Sequence, residues 1–514
     1  MMIGAYSFLS IVTFIITSIV YLCLVFHMPN ISNAGTVSVS KNISEYGFGT
    51  SKNLLIIDLT DIGSADSIDR SDKKFATLTW GSNNQWKTST IGIELKGDVR
   101  PKLNLAFEFW EPKEKDTACT SVETCDDDKV EMFDFGEKYE DYVLNGGFRE
   151  PTLLRDDIAS RLHGGILKKI MVEVLFRFGN KYTYEGVYLL FPAIQRRFLE
   201  KTLVWPIKGK AEDCNDKDYD SERVGYMFEY TTDKQNGKSK ECPIFKKNIK
   251  MRYPKCDFYD KPEIKSCQTE YISETQKYVN ILHSNVNDNS RIDLQSFANT
   301  YLIEMLMRDG DWPYASQYFY VDPNSHNLFS GPHWDYDRSF WRFIKPSWDI
   351  VDVHNYETIS LWTSLGRYSP FIDLVRGMKN ISKQNTRVAL ETIERRRNQY
   401  ENGDFDMDIE RWRGFGKSKD ITDNVLAFAY DIHSKNTFLS ELNYIKTYFE
   451  TRGHWISNRI ETFEGFVIQH ENLMTSVILK FWPWWGSGLF VIIAIVRGFT
   501  HQKKFQYTAI NSLS

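Results

Sequence analysis

Strand-like segments dominate the first half of this chain, and helical spacing governs most of the second. That change of period limits what the chain can fold into. The segment Leu103-Asn104-Leu105-Ala106-Phe107-Glu108-Phe109-Trp110 alternates cleanly and puts Leu103, Leu105, Phe107 and Phe109 on one face. Leu54 to Leu59 and Thr90 to Leu95 read as two further strands. Val172 to Phe178 and Tyr184 to Phe191 flank Gly179-Asn180-Lys181, the signature of a hairpin. The one helical pattern in this half runs from Leu153 to Leu162. A polar, cysteine-bearing insert follows at about 208–270, and helical spacing then governs 273–285, 293–308, 369–400 and 438–465. Residues 401–435 are mixed and polar. Strands first and helices afterwards make an α+β chain, not an alternating α/β one.

With 514 residues the chain is too long for one compact core. Two lobes are expected, a strand-rich one over 51–205 and a helix-rich one over 206–466. A net charge of -5 and the lack of a long basic stretch argue against nucleic-acid binding. The 15% aromatic content suits a well-packed body.

Both ends are apolar. Ala5 to Phe26 is long enough to span a bilayer. Met1 to Gly4 carries no basic residue, and Phe26-His27-Met28-Pro29 is a poor cleavage site, so 5–26 reads as an uncleaved anchor. Residues 28–50 are rich in Ser, Asn and Gly and read as a stalk. The run Phe481 to Val496 carries Trp482, Trp484 and Trp485 at one end, with Arg497, Lys503 and Lys504 beyond the other. That pattern fits a second membrane segment over 476–496 with a cytosolic tail over 497–514. Because Lys480 limits the apolar length, an amphipathic or buried C-terminal helix is the alternative. If both segments span, the body lies in the lumen or outside the cell.

Cysteine usage agrees with that placement. Cys23 sits in the first apolar run, leaving Cys119, Cys125, Cys214, Cys242, Cys256 and Cys267. The simplest disulfide scheme joins sequence neighbours, 119 with 125, 214 with 242 and 256 with 267, and other pairings stay open. None forms a C-x₂-C pair, which disfavours zinc. The sequons at Asn30, Asn42 and Asn380 permit glycosylation.

Three carboxylates stand among aromatic residues. Asp311 lies in Arg308-Asp309-Gly310-Asp311-Trp312-Pro313, and Asp335 and Asp337 lie in Gly331-Pro332-His333-Trp334-Asp335-Tyr336-Asp337. Between them Gln317 to Asn324 reads as a strand ending in a turn. Carboxylates are rarely left in such surroundings unless a cation or a reacting proton offsets their desolvation. At i and i+2 on an extended segment, Asp335 and Asp337 would share a face and repel unless a cation such as Mg²⁺ sat between them. These residues mark an enzyme candidate.

Several blocks, taken in order, resemble the CotH kinase family, named for a bacterial spore coat protein. Lys96-Gly97 with Pro101-Lys102 and the strand to Trp110 resembles its early block, and Leu144-Asn145-Gly146-Gly147 through Leu154-Arg155 its helix entry. Asn180 to Leu199, with Tyr184-Glu185-Gly186-Val187-Tyr188-Leu189-Leu190, is similar to its hairpin. Gly225 to Tyr230 resembles a later block. Asp311, then Tyr318-Phe319-Tyr320, then Gly331 to Asp337 resembles its most specific signature.

The resemblance implies an atypical protein-kinase-like bilobed fold. It also implies use of ATP with Mg²⁺ or Mn²⁺ to phosphorylate Ser or Thr of secreted or membrane proteins. Asp311 would orient or deprotonate the substrate hydroxyl. Asp335 would be the principal metal ligand, with Asp337 second and Ser316 a neutral oxygen donor. Lys102 and Arg155 would contact phosphates. On the residues alone, Lys102 could be a surface lysine and Arg155 a partner of Asp156 or Asp157.

The chain also departs from the family. Ala315-Ser316-Gln317 stands where Asn or Ser is common, Pro192 where Glu is usual, and Trp341 near an expected Gly. A catalytically degenerate binding or adhesion ectodomain is therefore one alternative. A luminal metal-dependent glycosyltransferase is a second, although no βαβ pattern with a Gly-rich turn supports it. Asp134-Phe135-Gly136 spells a kinase metal motif but precedes Asp311, in the wrong order.

Overall fold

The structure, a computed structural model, describes residues 53–464 apart from short gaps and the longer stretches 203–224, 231–248, 254–264, 341–359 and 413–434. The two apolar end segments, the stalk and the tail lie outside these residues. Among the described residues, no helix is long and apolar enough to cross a membrane.

The strand-rich part is a closed ring. It contains β1 (Leu54–Asp58), β2 (Lys74–Ser82), β3 (Gln85–Leu95), β4 (Leu105–Pro112), β5 (Cys125–Asp127) and β6 (Asp141–Asn145). Helix α1 (Leu154–Leu162), β7 (Ile170–Phe178) and β8 (Lys181–Pro192) complete it. Strand β4 pairs with β3 along one edge and with β6 and β5 along the other. The sheet thereby closes through β1, β2, β3, β4, β6, β8 and β7 back to β1, leaving no long edge unpaired around the ring. Among the described strands of the ring, only β1 and β7 run parallel. The alternation expected at 103–110 holds: Leu105, Phe107 and Phe109 point into the core. The opposite face carries Glu108, which Lys73 pairs at 2.5 Å. The 179–181 signal is a two-residue turn, with Gly179 at φ 60.

A second, antiparallel sheet is ordered β10-β9-β11-β12, from β9 (Tyr226–Tyr230), β10 (Ile249–Tyr253), β11 (Gln317–Val321) and β12 (Leu328–Ser330). The polar stretch 208–270 thus supplies two strands of this sheet. The further described helices are α2 (Arg196–Thr202), α3 (Lys265–Leu282), α4 (Leu294–Met307), which packs on β12, α5 (Ser360–Leu365), α6 (Ser369–Arg376), α7 (Lys379–Glu401), α8 (Asp406–Trp412) and α9 (Lys435–Arg459). The helical run at 369–400 is two helices broken at Gly377-Met378. A disulfide joins Cys119 to Cys125. Each of the other two expected pairs includes residues outside those described.

One buried ion pair fastens the helical part to the ring. Lys102 donates to Asp408 Oδ1 at 2.6 Å and to the Val187 carbonyl at 2.8 Å, and both side chains are 1% exposed. The same Asp408 oxygen accepts from the Val187 amide at 2.8 Å. On either side, Trp412 donates to the Glu185 carbonyl and Arg411 to the Tyr184 carbonyl. Helix α8 therefore caps the irregular stretch of β8, where the register with β7 shifts. Gly186 is at φ 122 there, and a β-carbon on it would lie 2.1 Å from Asp408 Oδ1. Only glycine lets the pair approach the strand this closely.

Removing one member of a fully buried pair leaves the other uncompensated, which costs on the order of 3–5 kcal/mol. Asp408→Ala is expected to destabilise the protein by that amount in urea unfolding. Gly186→Ala should be destabilising for the steric reason.

Candidate active site

Each acid is placed by a different element. Helix α4 ends at Arg308, which caps it in the left-handed region at φ 49. Its last turn is held from α9: the Tyr448 hydroxyl donates to the Leu306 carbonyl and Arg452 to that of Met305. Asp309 and Asp311 follow at once. The Phe340 amide bonds the Met307 carbonyl at 2.9 Å, and the Gly310 amide bonds that of Arg338 at 3.3 Å. The 309–311 and 335–340 segments are thereby laid side by side. Arg338 donates to Asp311 Oδ1 at 2.7 Å.

Asp335 is not on an extended segment. Its φ is +66, so the shared-face argument from strand geometry does not apply. The two acids act on each other nonetheless, because the chain turns here. Ser316 is also left-handed, at φ +55, and its hydroxyl donates to Asp335 Oδ2 at 2.9 Å. Two non-glycine residues held in this region against one another are characteristic of a site where geometry is over-determined.

The electrostatics confirm the crowding. Loss of solvent raises the Asp335 carboxyl to about 6, helped by the charges of Asp156 and Asp311 and opposed by Ser316 and Lys169. Asp337 is raised well above the usual carboxylate range by burial and then by Asp335, Asp156 and Asp311, with Arg338 opposing. Asp309 is raised by burial and then by Glu304, Asp311, Asp335 and Asp337. Its Oδ1 is buried and has no hydrogen-bond partner among the described residues.

Two residues not anticipated from sequence hold this arrangement together. Asp156 on α1 accepts from Lys169 at 2.5 Å, from Asn145 at 2.9 Å and from the Tyr336 amide at 3.2 Å, between Asp335 and Asp337. Lys169, 1% exposed, is the cation deepest in this neighbourhood. Helical spacing placed Asp156 on α1 but gave no sign that it faces a segment 180 residues away. Tyr336 is anchored at its other end, its hydroxyl donating to Glu304 at 2.6 Å and lying 2.8 Å from His163 Nε2.

Lys102 and Arg155 are not brought to the acids. Lys102 is spent on Asp408, and its strongest charge neighbours are Asp408, Glu185 and Arg411. It is not a surface residue either. Arg155 pairs with Glu150 and Glu441 and donates to the Ser339 carbonyl at 3.0 Å, with its guanidinium 4.7 Å from the Phe340 ring. It ties α1 and α9 to the turn just after Asp337. Asp157 goes instead to Arg161, Arg395 and Arg396. Pro192 ends β8 opposite Tyr142. Trp341 lies outside the described residues. Asp134, of the Asp-Phe-Gly decoy, pairs with Lys168 at the surface.

Asp335, Asp337 and Ser316 offer hard oxygen donors in a negatively charged neighbourhood, the donor set of Mg²⁺ or Mn²⁺. Among the described residues, no three His, Cys, Asp or Glu side chains already enclose a metal position. Donor chemistry and uncompensated charge both fit a divalent cation.

A family model described as CotH kinase protein matches residues 99–456, more than half of the chain. The chain belongs to the CotH kinase family. Comparison with curated proteins gives no match. For a CotH kinase protein a kinase-like function with nucleotide and divalent metal follows in general terms, and the matched span contains all four of Asp311, Ser316, Asp335 and Asp337.

The raised carboxyl has a consequence for stability. Unfolded aspartate titrates near its ordinary value of about 3.9. The stability contributed by the proton on Asp335 is full below that value and is lost as pH rises through about 6. In metal-free buffer, Asp335→Asn should therefore gain thermal stability relative to the parent as pH goes from 4 to 7. A difference independent of pH would contradict the assignment.

Proposed function

We propose that this protein is a membrane-anchored, luminal or extracellular kinase that transfers the γ-phosphoryl group of ATP to Ser or Thr of secreted or membrane proteins. The observation that carries the reading is the convergence of Asp311, Asp335 and Asp337, with the Ser316 hydroxyl on Asp335, inside the span that places the chain among CotH kinases. The Cys119–Cys125 disulfide and the apolar run at 5–26 support the compartment.

In this reading Asp311, oriented by Arg338, accepts the proton of the acceptor hydroxyl as its oxygen bonds to phosphorus. The bond from phosphorus to the β–γ bridging oxygen breaks, and ADP leaves. Asp335 and Asp337, with Ser316, would hold the divalent cation, which when bound neutralises charge on the phosphates. Lys169, fixed by Asp156, sets positive charge behind Asp335. Tyr336, anchored at both ends, keeps the two metal-facing acids in register.

A binding-only CotH ectodomain is the second reading. It is favoured by the internal partners of Lys102 and Arg155, the two cations that family resemblance assigns to phosphates. Calorimetric titration of the full-length protein with ATP and Mg²⁺ separates the two. The kinase reading expects saturable binding that Asp335→Asn abolishes without unfolding. It expects Asp311→Asn to keep ATP binding and to lose phosphoryl transfer by on the order of 10²–10⁴-fold. No ATP binding with either Mg²⁺ or Mn²⁺ sinks the kinase reading.

A further inference from the structure

Among the described residues, Lys96 is a cation with no anion in contact. It follows β3, and its backbone amide bonds the Asn104 carbonyl at 2.9 Å, which fixes the start of its side chain. Among the described residues, no oxygen lies within hydrogen-bonding or ion-pairing distance of its ammonium. Its near neighbour is the indole of Trp334, with the ring centroid 6.0 Å from Nζ. That distance is at the outer limit of cation–π attraction and replaces little of the lost hydration. The Trp334 indole N–H is itself buried, with no acceptor among the described residues.

A second cation stands beside it. Arg252 on β10 is held by Glu229 on β9, with Nε to Oε2 at 2.6 Å, and by the Tyr318 hydroxyl. Burial, and then the charge of Arg252, disfavour the charged form of Lys96, while Glu229, Glu94 and Asp141 act the other way without touching it. Glu229 is already committed to Arg252.

These groups adjoin the acids. Trp334 directly precedes Asp335. Tyr318 lies two residues after Ser316, packs on Trp334 with centroids 6.2 Å apart, and feels the Asp335 charge. Lys96 has no anion in contact among the described residues, and the Arg252 guanidinium beside it is already paired with Glu229. A group with several negative oxygens would supply the anion that Lys96 lacks and add to the partners of Arg252. Lys96 also lies just ahead of the span 99–456 by which the family was recognised.

We propose that Lys96, with Arg252 beside it, forms a phosphoryl-oxyanion site on the Trp334 flank of the acid cluster, and that it receives a phosphate of the nucleotide. The proposal rests on the phosphoryl-transfer reading for the source of the phosphate, but not for the existence of the oxyanion site.

Two arms test it on the full-length protein. In the first, MgATP and adenosine are titrated into the parent, Lys96→Met and Lys96→Arg. Lys96→Met should weaken MgATP at least tenfold and leave adenosine unchanged, and Lys96→Arg should restore most of the loss. Equal MgATP affinity in the parent and Lys96→Met overturns the nucleotide assignment. In the second arm, acylation of the Lys96 amine in the unmutated protein is followed by mass spectrometry, with MgATP, pyrophosphate or adenosine as protectant. Protection by MgATP and pyrophosphate but not adenosine is expected. Protection by pyrophosphate where MgATP fails keeps the oxyanion site and removes the kinase reading. Protection by neither overturns the site.

Discussion

The carboxylate of Asp156 joins three parts of the molecule that the chain keeps far apart. It takes a proton donor from Lys169 at the entry to β7, one from Asn145 at the end of β6, and one from the Tyr336 amide in the acid segment. Helix α1, the closed ring and the 331–340 segment all meet at this group. A buried charge is tolerated only when paired and hydrogen-bonded, and Asp156 meets both conditions. Because Tyr336 sits between Asp335 and Asp337, the same bond sets where both acids point.

Around that anchor the protein holds like charges closer than they would stand in water. Ser316, Arg338 and Lys169 each offset part of the repulsion, and none removes it. The raised carboxyls of Asp335, Asp337 and Asp309 are the signature of a site with unmet negative charge. On its Trp334 flank stands Lys96, with no anion in contact among the described residues, beside the Arg252–Glu229 pair. A metal nucleotide, which presents both signs, would suit a site where crowded carboxylates adjoin a lysine without a contacting anion.

Much of the fold was legible because strands and helices announce themselves locally. The alternation at 103–110 and the Gly179-Asn180 turn needed nothing beyond their own residues. Strands β9 and β10 were hidden, because they lie in a polar, cysteine-bearing stretch and exist only through pairing with each other and with β11. Helix α8 was hidden for a related reason: it is short, and its stability comes from capping β8. In the site, the three acids were legible because carboxylates among tryptophans and tyrosines are chemically conspicuous. The cations were not. Lys102 matched a family block, yet its partner Asp408 is 306 residues away, and no local pattern reports such a pairing.

By itself the sequence determined the α+β order, the family, and the oxygen-donor chemistry of Asp311, Ser316, Asp335 and Asp337. The order follows from periodicity, the donor chemistry from side-chain type, and the family from motif blocks that match it in order, all of them read along the chain. Only the tertiary structure decided which charges face one another: Lys102 with Asp408, Arg155 with Glu441, Lys169 with Asp156, and Lys96 with no anion at all among the described residues. A cation's role depends on the anion nearest to it in space, and that distance is set by the packing of the ring against the helices, not by position along the chain.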